Sequence, residues 1–430
     1  MLEKIIQKGY TAEGSISVST DTRNLPAGCI FFALRGENFN GNRFALQALR
    51  DGASLAVVDE DISKYSENLE LPEFSERVIR VDNTLKALQQ LAREWRRQWG
   101  KTIIGITGTN GKTTTKELTA TVLGTKYNIH YTQGNLNNHV GVPLTLLQLT
   151  DKHELAIIEM GASHPGDIRE LVDIAEPDCG LITNVGRAHL QGFGSFDGVM
   201  QTKKELYDYL KAHSGFCFRN LDNQYLSQMA GDLQTIGYHT GKLPEGTHLV
   251  GGYNSENVQA ALCVGEHFGL SREAGLDAIR SYIPSNNRSQ LLRTEHNTLV
   301  VDAYNANPTS MMAAIQNFIT TPSVSLGSGQ DELRILNKSS DCRMFILGDM
   351  LELGEYSLTE HQNIVNMLLE QKQQNVLLVG GEFGKTTAPY PVFANVQALA
   401  EHLTEHPISG KTILIKGSHG IHLEQIINKL

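Results

Sequence analysis

Three observations predict a doubly wound α/β protein. The first is the stretch TIIGITGTNGKTTTKELTATVL, residues 102–123, where an apolar β-branched run passes through a glycine-punctuated loop into a segment with Leu118 and Val122 at helical spacing. The second is the recurrence of that unit: short apolar runs alternate with helical stretches along the chain, without an internal sequence repeat, as helix-covered parallel sheets require. The third is length, since 430 residues exceed one core and suit two or three domains.

The formal charge of −10 argues against nucleic acid or an anionic membrane as the main partner, although an anionic nucleotide can still bind through local donors. Cys29, Cys179, Cys217, Cys263 and Cys342 contain no CxxC pair. Neither a zinc site nor a disulfide framework is indicated, and reduced cytoplasmic thiols are the simpler account. The start MLEKIIQKGY lacks the apolar core of a signal peptide, and no apolar run approaches the ~20 residues of a membrane helix. The expectation is a cytoplasmic chain without membrane insertion.

Up to Gly100, strands are expected at 29–34, 53–58 and 78–81, with a helix at 44–50 ending at Gly52. An amphipathic helix follows, with Leu85, Leu88, Ala92, Trp95 and Trp99 on one stripe and Gly100 as its stop. Core packing of the two tryptophans outweighs any stacking role. Two polar islands, Ser19-Thr20-Asp21-Thr22-Arg23 and Arg35-Gly36-Glu37-Asn38-Phe39-Asn40-Gly41, lie beside strands, where ligand loops and ordinary polar turns both occur.

In the loop after strand 102–107, Gly105, Gly108 and Gly111 let the backbone approach a polyphosphate and turn N–H groups and the positive helix end toward it. Gly108, Thr109, Asn110, Gly111 and Thr114 would surround the phosphates. Lys112, expected to be an exposed loop lysine, would reach the β/γ-phosphates, and the Thr113 hydroxyl would ligate Mg²⁺. The strict phosphate-loop pattern needs glycine where Ile106 stands, so the motif is GxxGxxGKTT. An ordinary glycine-rich turn is the alternative, and the flanking strand and helix argue against it.

Asn135, Asn137 and Asn138 in GNLNN, ahead of His139, offer amide groups to a polar ligand, or simply make a turn. Strand 155–158 ends at Glu159, on the carboxyl edge where open sheets gather ligands. This carboxylate either holds Mg²⁺ or caps the next turn. Strand 179–184 leads to His189 at the same edge, a better ligand candidate than a lone histidine elsewhere. Helix 198–210 carries Lys203 and Lys204 side by side, by themselves a solvated face.

A helix is expected at 254–268 and a strand at 299–303 leading into DAYNANPTS. There Asp302, Tyr304 and Asn305 sit at the strand end, and Asn307 and Pro308 read as N-cap and first helical residue. An adenine or ribose could meet these side chains, or the segment is a capped turn. Residues 322–341 read as a surface loop. Strands follow at 344–347, 376–379 and 412–415. Ser357 and Glu360 suggest a capping box ahead of a helix with Ile364, Leu368 and Leu369. The loop after the last strand, near Lys416, could bind an anion, and a short helix ends the chain.

Together, GITGTNGKTTT, GNLNNHVGVPLTLL, EMGASHPGDI, ITNVGRAHLQGFGS, DAYNANPTS, GDMLELGE and LIKGSHG resemble the Mur ligase family. The resemblance runs from Ser19 to near the terminus. It is strongest to the branch that joins D-alanyl-D-alanine to UDP-N-acetylmuramoyl-tripeptide; DAYNANP and EMGASHPGDI separate it from folate-linked ligases. The resemblance implies an N-terminal α/β UDP-sugar-binding domain (1–99), a central P-loop-type parallel-sheet ATP domain (100–289) and a C-terminal Rossmann-like domain (290–430). It implies ATP and Mg²⁺, and a monomer whose domains close during turnover in cytoplasmic peptidoglycan precursor synthesis. The implied chemistry is an acyl phosphate displaced by the dipeptide amine.

The same resemblance makes Lys112, His189 and Lys203 catalytic. It puts Mg²⁺ on Thr113, Glu159, His189 and a carbamylated Lys203, with Lys204 the one-residue-slip alternative. It assigns Asn254 and Asn305 to adenine, Asp302 to ribose and Arg288 to the phosphates. Ser19, Asp21, Arg23, Asn135, Asn137 and Asn138 are assigned to the UDP-sugar end. Three positions depart from the family pattern: Asn40-Gly41-Asn42 replaces aspartate-glycine-histidine, Tyr253 replaces a histidine, and His419 stands where an arginine is common. Two competing readings are the neighbouring ligase that adds the third amino acid, disfavoured by DAYNANP, and a nucleotide-gated binding protein without turnover, disfavoured by the intact metal set.

Overall fold

The computed structural model describes residues 2–65, 75–284, 288–320, 324–326, 333–335 and 342–430. Three open sheets follow one another along the chain. The first has four parallel strands in the order Val18–Ser19, Ile30–Phe32, Leu55–Val58 and Val78–Arg80. The second has six parallel strands in the order Thr235–Tyr238, Phe216–Asn220, Cys179–Ile182, Thr102–Thr107, Leu155–Glu159 and Ile129–Tyr131. The third is also six-stranded. Its edge strand Gln290–Arg293 is antiparallel, and parallel strands Thr298–Asp302, Thr412–Lys416, Arg343–Gly348, Val376–Val379 and Val392–Phe393 follow.

The runs Ile103 to Thr107 and Leu155 to Glu159 are buried without alternation because helices cover both faces of the central sheet. The chain enters that sheet at Thr102–Thr107, builds two strands to one side, and then crosses to Cys179–Ile182 on the other. The strand order reverses at the end of Thr102–Thr107, which is where such sheets open a crevice. The glycine loop leaves the sheet at this point.

Helix Thr84–Trp99 starts on Asn83, whose side chain accepts from Lys86 N–H at 2.8 Å, and stops at Gly100, held at φ 66°. The indole N–H groups of Trp95 and Trp99 donate to Leu149 O at 3.0 Å and Thr150 O at 2.9 Å. The two rings are core, as their stripe predicts. They tie the first sheet to the second through one apolar core running from Ile5 and Phe32 to Ile103 and Ile158.

Several local expectations need correction. Ser357 does not form a capping box: its hydroxyl donates to Glu382 Oε2 at 2.6 Å, while Glu360 pairs with Arg187. In the helix Ser357–Glu370, Ile364 and Leu368 are buried but Leu369 is exposed. Within 322–341, read as a loop, Val324–Leu326 and Leu333–Ile335 form an antiparallel pair, and the remainder lies outside the described residues. The short helix expected at the end of the chain is present as 3₁₀ turns over Leu423–Lys429. Cys29, Cys179, Cys217 and Cys263 are free thiols, and no described helix is long and apolar enough to cross a membrane.

Candidate active site

The loop after Thr102–Thr107 needs glycine at two positions for stated reasons. Gly108 has φ +143°, and a Cβ there would lie 2.0 Å from Thr183 Oγ1; Gly111 has φ +77°, and its Cβ would lie 2.5 Å from Asn257 Oδ1. Side chains of the neighbouring strand brace the loop. Asn110 N–H donates to Asn184 Oδ1 at 3.0 Å, and Thr183 Oγ1 and Asn184 Nδ2 donate to Asn110 O at 2.6 and 3.0 Å. Helix Lys112–Leu123 begins at Gly111 without a side-chain cap, so its first-turn N–H groups face the cleft as donors for an anion.

Lys112 is not the exposed lysine the sequence suggests. It is partly buried, and its ammonium folds back to donate to Gly108 O at 2.9 Å and Thr109 O at 3.1 Å. Burial lowers its pKa from the ordinary lysine value, with the Glu159 charge opposing that shift. Glu159 ends its strand fully buried. Its Oε1 accepts from Thr113 Oγ1 at 3.1 Å and Asn137 Nδ2 at 2.8 Å, and its backbone N–H donates to Thr132 Oγ1 at 2.9 Å. Its Oε2 is buried with no hydrogen-bond partner among the described residues.

The nearest cation to that orphaned oxygen is Lys116 Nζ, 3.8 Å away, which donates to Thr132 O at 2.7 Å. Sequence reasoning passed over Lys116. Its signal was the spacing of four from Lys112, which puts both on one face of a helix packed against the sheet.

The donor set tests whether Mg²⁺ fits. No three His, Cys, Asp or Glu side chains converge among the described residues. An orphaned carboxylate oxygen beside a threonine hydroxyl nevertheless suits a hard cation that takes one or two carboxylates and completes its shell with substrate phosphates. The residues present fit Mg²⁺ held jointly with a nucleotide.

His189 lies just beyond strand Cys179–Ile182 in the left-handed region, φ 49°, and its Nδ1 is hydrogen-bonded to Glu352 Oε2 of the third-sheet region. Lys203, in helix Phe196–Ala212, is only 2% exposed and sits 5.5 Å from the centroid of the Phe193 ring. Burial first, and the Lys112 charge second, push its pKa well below the ordinary lysine value. Lys204 instead points outward and pairs with Asp208.

The opposite wall comes from the third sheet. Lys416 Nζ, buried at the end of Thr412–Lys416, donates to Asp302 Oδ2 at 2.6 Å and Asn305 O at 3.0 Å, which fixes the turn that begins DAYNANP. Asn307 caps helix Pro308–Thr320 by accepting from Ser310 N–H at 2.9 Å, and its Nδ2 reaches across to Asn110 Oδ1 at 2.7 Å. The Arg288 guanidinium lies over the Tyr304 ring at 3.9 Å, with His419 on the same tyrosine at 5.6 Å. Asn254 is buried with its amide engaged internally, donating to Val250 O at 2.7 Å and accepting from Asn257 Nδ2 at 2.9 Å.

These walls enclose a cleft of about 820 Å³. It brings together Thr109 to Thr114, Asn135, Asn137, Asn138, Glu159, His189, Asn254, Arg288, Asp302 and Asn305. Gly108 and Lys203 lie behind its surface, and Ser19, Asp21 and Arg23 line no part of it. Those last three form a local turn. Ser19 Oγ donates to Asp21 O at 2.9 Å, and Arg23 donates to Asp21 through its backbone at 2.9 Å and its guanidinium at 2.6 Å, holding the carboxyl down at about 2. Asn42, which departs from the histidine expected from the resemblance, is buried and structural: its amide donates to Asn40 Oδ1 at 2.9 Å and Asp59 Oδ1 at 2.8 Å.

Comparisons with known proteins point to one family. The model described as "Mur ligase middle domain" matches residues 106–244, and that described as "Mur ligase family, catalytic domain" matches residues 16–96. A UDP-N-acetylmuramoyl-tripeptide–D-alanyl-D-alanine ligase of Bacillus subtilis is 34% identical, covering 96% of this chain and 92% of that protein. The Escherichia coli protein of the same description is 31% identical over 96% and 93%. Among solved structures, MurF from Acinetobacter baumannii superposes with a TM-score of 0.81 at 26% identity, covering 100% of this chain and 97% of that one. MurF ligase from Thermotoga maritima in complex with ADP gives 0.80 at 25% identity over 96% of each.

Proposed function

This chain belongs to the Mur ligase family, and from that premise we propose how its cleft works. The protein is an ATP-dependent amide ligase that joins D-alanyl-D-alanine to UDP-N-acetylmuramoyl-tripeptide through an acyl phosphate, releasing ADP and phosphate, in peptidoglycan precursor synthesis. The observation that carries the mechanism is the pairing of two walls. The GxxGxxGKTT loop and Glu159 on the central sheet face Asp302, Asn305 and Lys416 on the third, so a nucleotide gripped by one wall meets groups of the other.

In this reading the uncapped first turn of Lys112–Leu123 and the Lys112 ammonium offset charge on the β/γ-phosphates as the substrate carboxylate approaches. Lys112 must leave its two carbonyl acceptors to do so, and those carbonyls keep it within reach meanwhile. Thr113, Glu159, His189 and a carbamylated Lys203 would hold Mg²⁺, which when bound neutralises phosphate charge and fixes its geometry.

Two facts favour Lys203 over Lys204 for the carbamate. Its burial favours the neutral amine that can attack carbon dioxide, whereas Lys204 is engaged by Asp208. Arg288 and Asn305 would contact the nucleotide, and Asp302, oriented by Lys416, its ribose. Asn254 would shape the adenine pocket through the amide chain that runs to Asn257, rather than by a free amide. Asn135, Asn137 and Asn138 would meet the sugar–peptide substrate, whose uridine end reaches Ser19, Asp21 and Arg23. The enzyme would work as a cytoplasmic monomer.

The test is phosphate release from ATP with Mg²⁺ and UDP-N-acetylmuramoyl-tripeptide, comparing D-alanyl-D-alanine with single amino acids. Release and ligated product only with the dipeptide are expected. Turnover of the shorter dipeptide precursor with a single amino acid, or ADP release indifferent to any acceptor, would overturn the assignment.

A further inference from the structure

The segment 187–191 of the central region is fastened to the third-sheet region at several points. Arg187 N–H donates to Thr309 Oγ1 at 3.1 Å, its guanidinium pairs with Glu360 at 3.1 Å, and Gln191 N–H donates to Glu352 O at 3.4 Å. Glu360 is only 5% exposed in its side chain, and its two oxygens accept from Arg187 and from Asn363 Nδ2 rather than from solvent. Within the segment His189 and Glu352 meet, and both hold left-handed backbones, φ 49° and 64°. Neither is glycine, so each conformation costs free energy that its surroundings must supply, and such costs collect where a side chain has to be aimed.

An ionised carboxylate can only accept hydrogen bonds, so in the pair His189 Nδ1 to Glu352 Oε2 the proton is on Nδ1. A neutral imidazole carries one ring proton, which leaves the Nε2 lone pair as the one available to a cation. No described residue hydrogen-bonds to Nε2, and both side chains line the nucleotide cleft. Histidines that ligate metals commonly donate their other ring N–H to a carboxylate, which fixes the tautomer and the ring orientation and raises the basicity of the ligating nitrogen.

We propose that Glu352 is a positioning residue for the metal centre, supplied by the last domain, so that the His189 ligand is set only when that domain is docked on the central one. The inference rests on the reading of His189 as a Mg²⁺ ligand. It explains why the GDMLELGE loop is braced so firmly on its far side. Asp349 accepts from Glu382 N–H at 2.8 Å and Phe383 N–H at 2.9 Å, Met350 N–H donates to His361 Nε2 at 3.0 Å, and Leu351 N–H donates to Ser418 Oγ at 2.9 Å. A loop so held delivers Glu352 to one place. Docking and metal affinity thereby become one linked equilibrium: whatever closes the domains tightens the cation, and the cation favours closure by the same factor.

The test measures Mn²⁺ affinity by electron paramagnetic resonance on the full-length protein with a non-hydrolysable ATP analogue, beside the kinetic requirement for Mg²⁺. Glu352→Ala is expected to weaken Mn²⁺ binding by about 10–100-fold. The KM for Mg²⁺ should rise by a similar factor while the KM for UDP-N-acetylmuramoyl-tripeptide stays unchanged. Glu352→Gln keeps an acceptor for the Nδ1 proton and should lose less; it also carries the test if the alanine variant fails to fold.

His189→Ala separates the two claims. If it weakens Mn²⁺ binding and Glu352→Ala does not, Glu352 is a docking contact only and the inference fails alone. If neither variant alters Mn²⁺ binding, His189 is not a ligand and the site reading fails with it. An equal rise in the KM values for Mg²⁺ and for the UDP substrate would mark a general structural defect and would also overturn the proposal.

Discussion

The carboxyl edge of the central sheet and the Asp21–Arg23 turn at the edge of the first sheet hold their charged side chains in opposite ways. At the central edge Thr113, Glu159 and Lys203 are buried and Lys116 is buried with a fixed partner, and across the cleft Lys416 of the third sheet is buried likewise. At the first edge Arg23 leaves 88% of its side chain exposed and pairs with Asp21, two residues away. Buried charges act through a low dielectric on whatever enters the cleft, whereas an exposed pair is screened and contributes little to stability. Under the proposed function the difference would suit the two ends of the substrate: chemistry needs groups fixed in advance, while holding a distant nucleotide tolerates groups that rearrange on contact.

The largest effect that sharpens this contrast is loss of Lys112. Lys112→Ala should lower kcat by about a thousandfold or more, because the lysine offsets charge that grows in the transition state. Its melting temperature should stay near that of the parent, since the ammonium bonds only to carbonyls of its own loop. Turnover within about tenfold of the parent would remove it from the site.

The adjacent lysines give the next test. Lys203→Ala should cost about a hundredfold in kcat, with partial rescue by a small carboxylic acid and none by bicarbonate. Lys204→Ala should stay within about twofold, as an exposed pair with Asp208 warrants. The reverse pattern would move the carbamate to Lys204.

At the other edge Arg23→Ala should raise the KM for UDP-N-acetylmuramoyl-tripeptide by about tenfold and leave kcat alone. A kcat effect as large as that of Lys203→Ala would break the comparison, because it would put the first edge in the chemistry.

Acid separates the same regions most gently. In the central sheet, burial depresses His130 from 6.5 to about 4, so the unfolded chain takes up the proton first. Its contribution to stability is therefore complete above about pH 6.5 and is lost as pH falls toward about 4, worth at most about 3 kcal/mol. Asp21, held at about 2 by Arg23 against an ordinary 3.8, keeps its small contribution until pH drops below that ordinary value. Amide hydrogen exchange should thus show strand Ile129–Tyr131 loosening between neutral pH and about pH 4.5 while Val18–Ser19 does not. Replacing His130 with glutamine, which can still donate to Thr145 O, should abolish that slope.

Much of this contrast was legible in the sequence at the central edge and little of it at the first. The strand–loop–helix unit around Lys112 is local, so its glycines, its hydroxyl and its lysine declare themselves within about twenty residues. Glu159 and His189 were legible from a topological rule, that ligands gather where parallel strands end. Lys203 was not, because burial of a lysine depends on which helix face meets Phe193, and a pair of lysines looks the same on either face. Burial of Lys116 was missed for the same reason; that of Lys416, noted only as lying near a possible anion loop, depends on Asp302 and Asn305 more than a hundred positions away. Arg187 with Glu360, and His189 with Glu352, join residues more than 160 positions apart, a distance at which periodicity and capping rules carry no information. The capping box at Ser357 failed because Glu382, far along the chain, competed for the hydroxyl.

In the proposed site Mg²⁺ would be held at the carboxyl edge of the central sheet, between Thr113 and Glu159, whose Oε2 has no hydrogen-bond partner among the described residues. The most direct measurement is an anomalous-difference map from crystals grown with Mn²⁺ and a non-hydrolysable ATP analogue. A peak beside Thr113 Oγ1 and Glu159 is expected, with its loss in Glu159→Gln. A peak elsewhere, or one that survives that substitution unchanged, would contradict it.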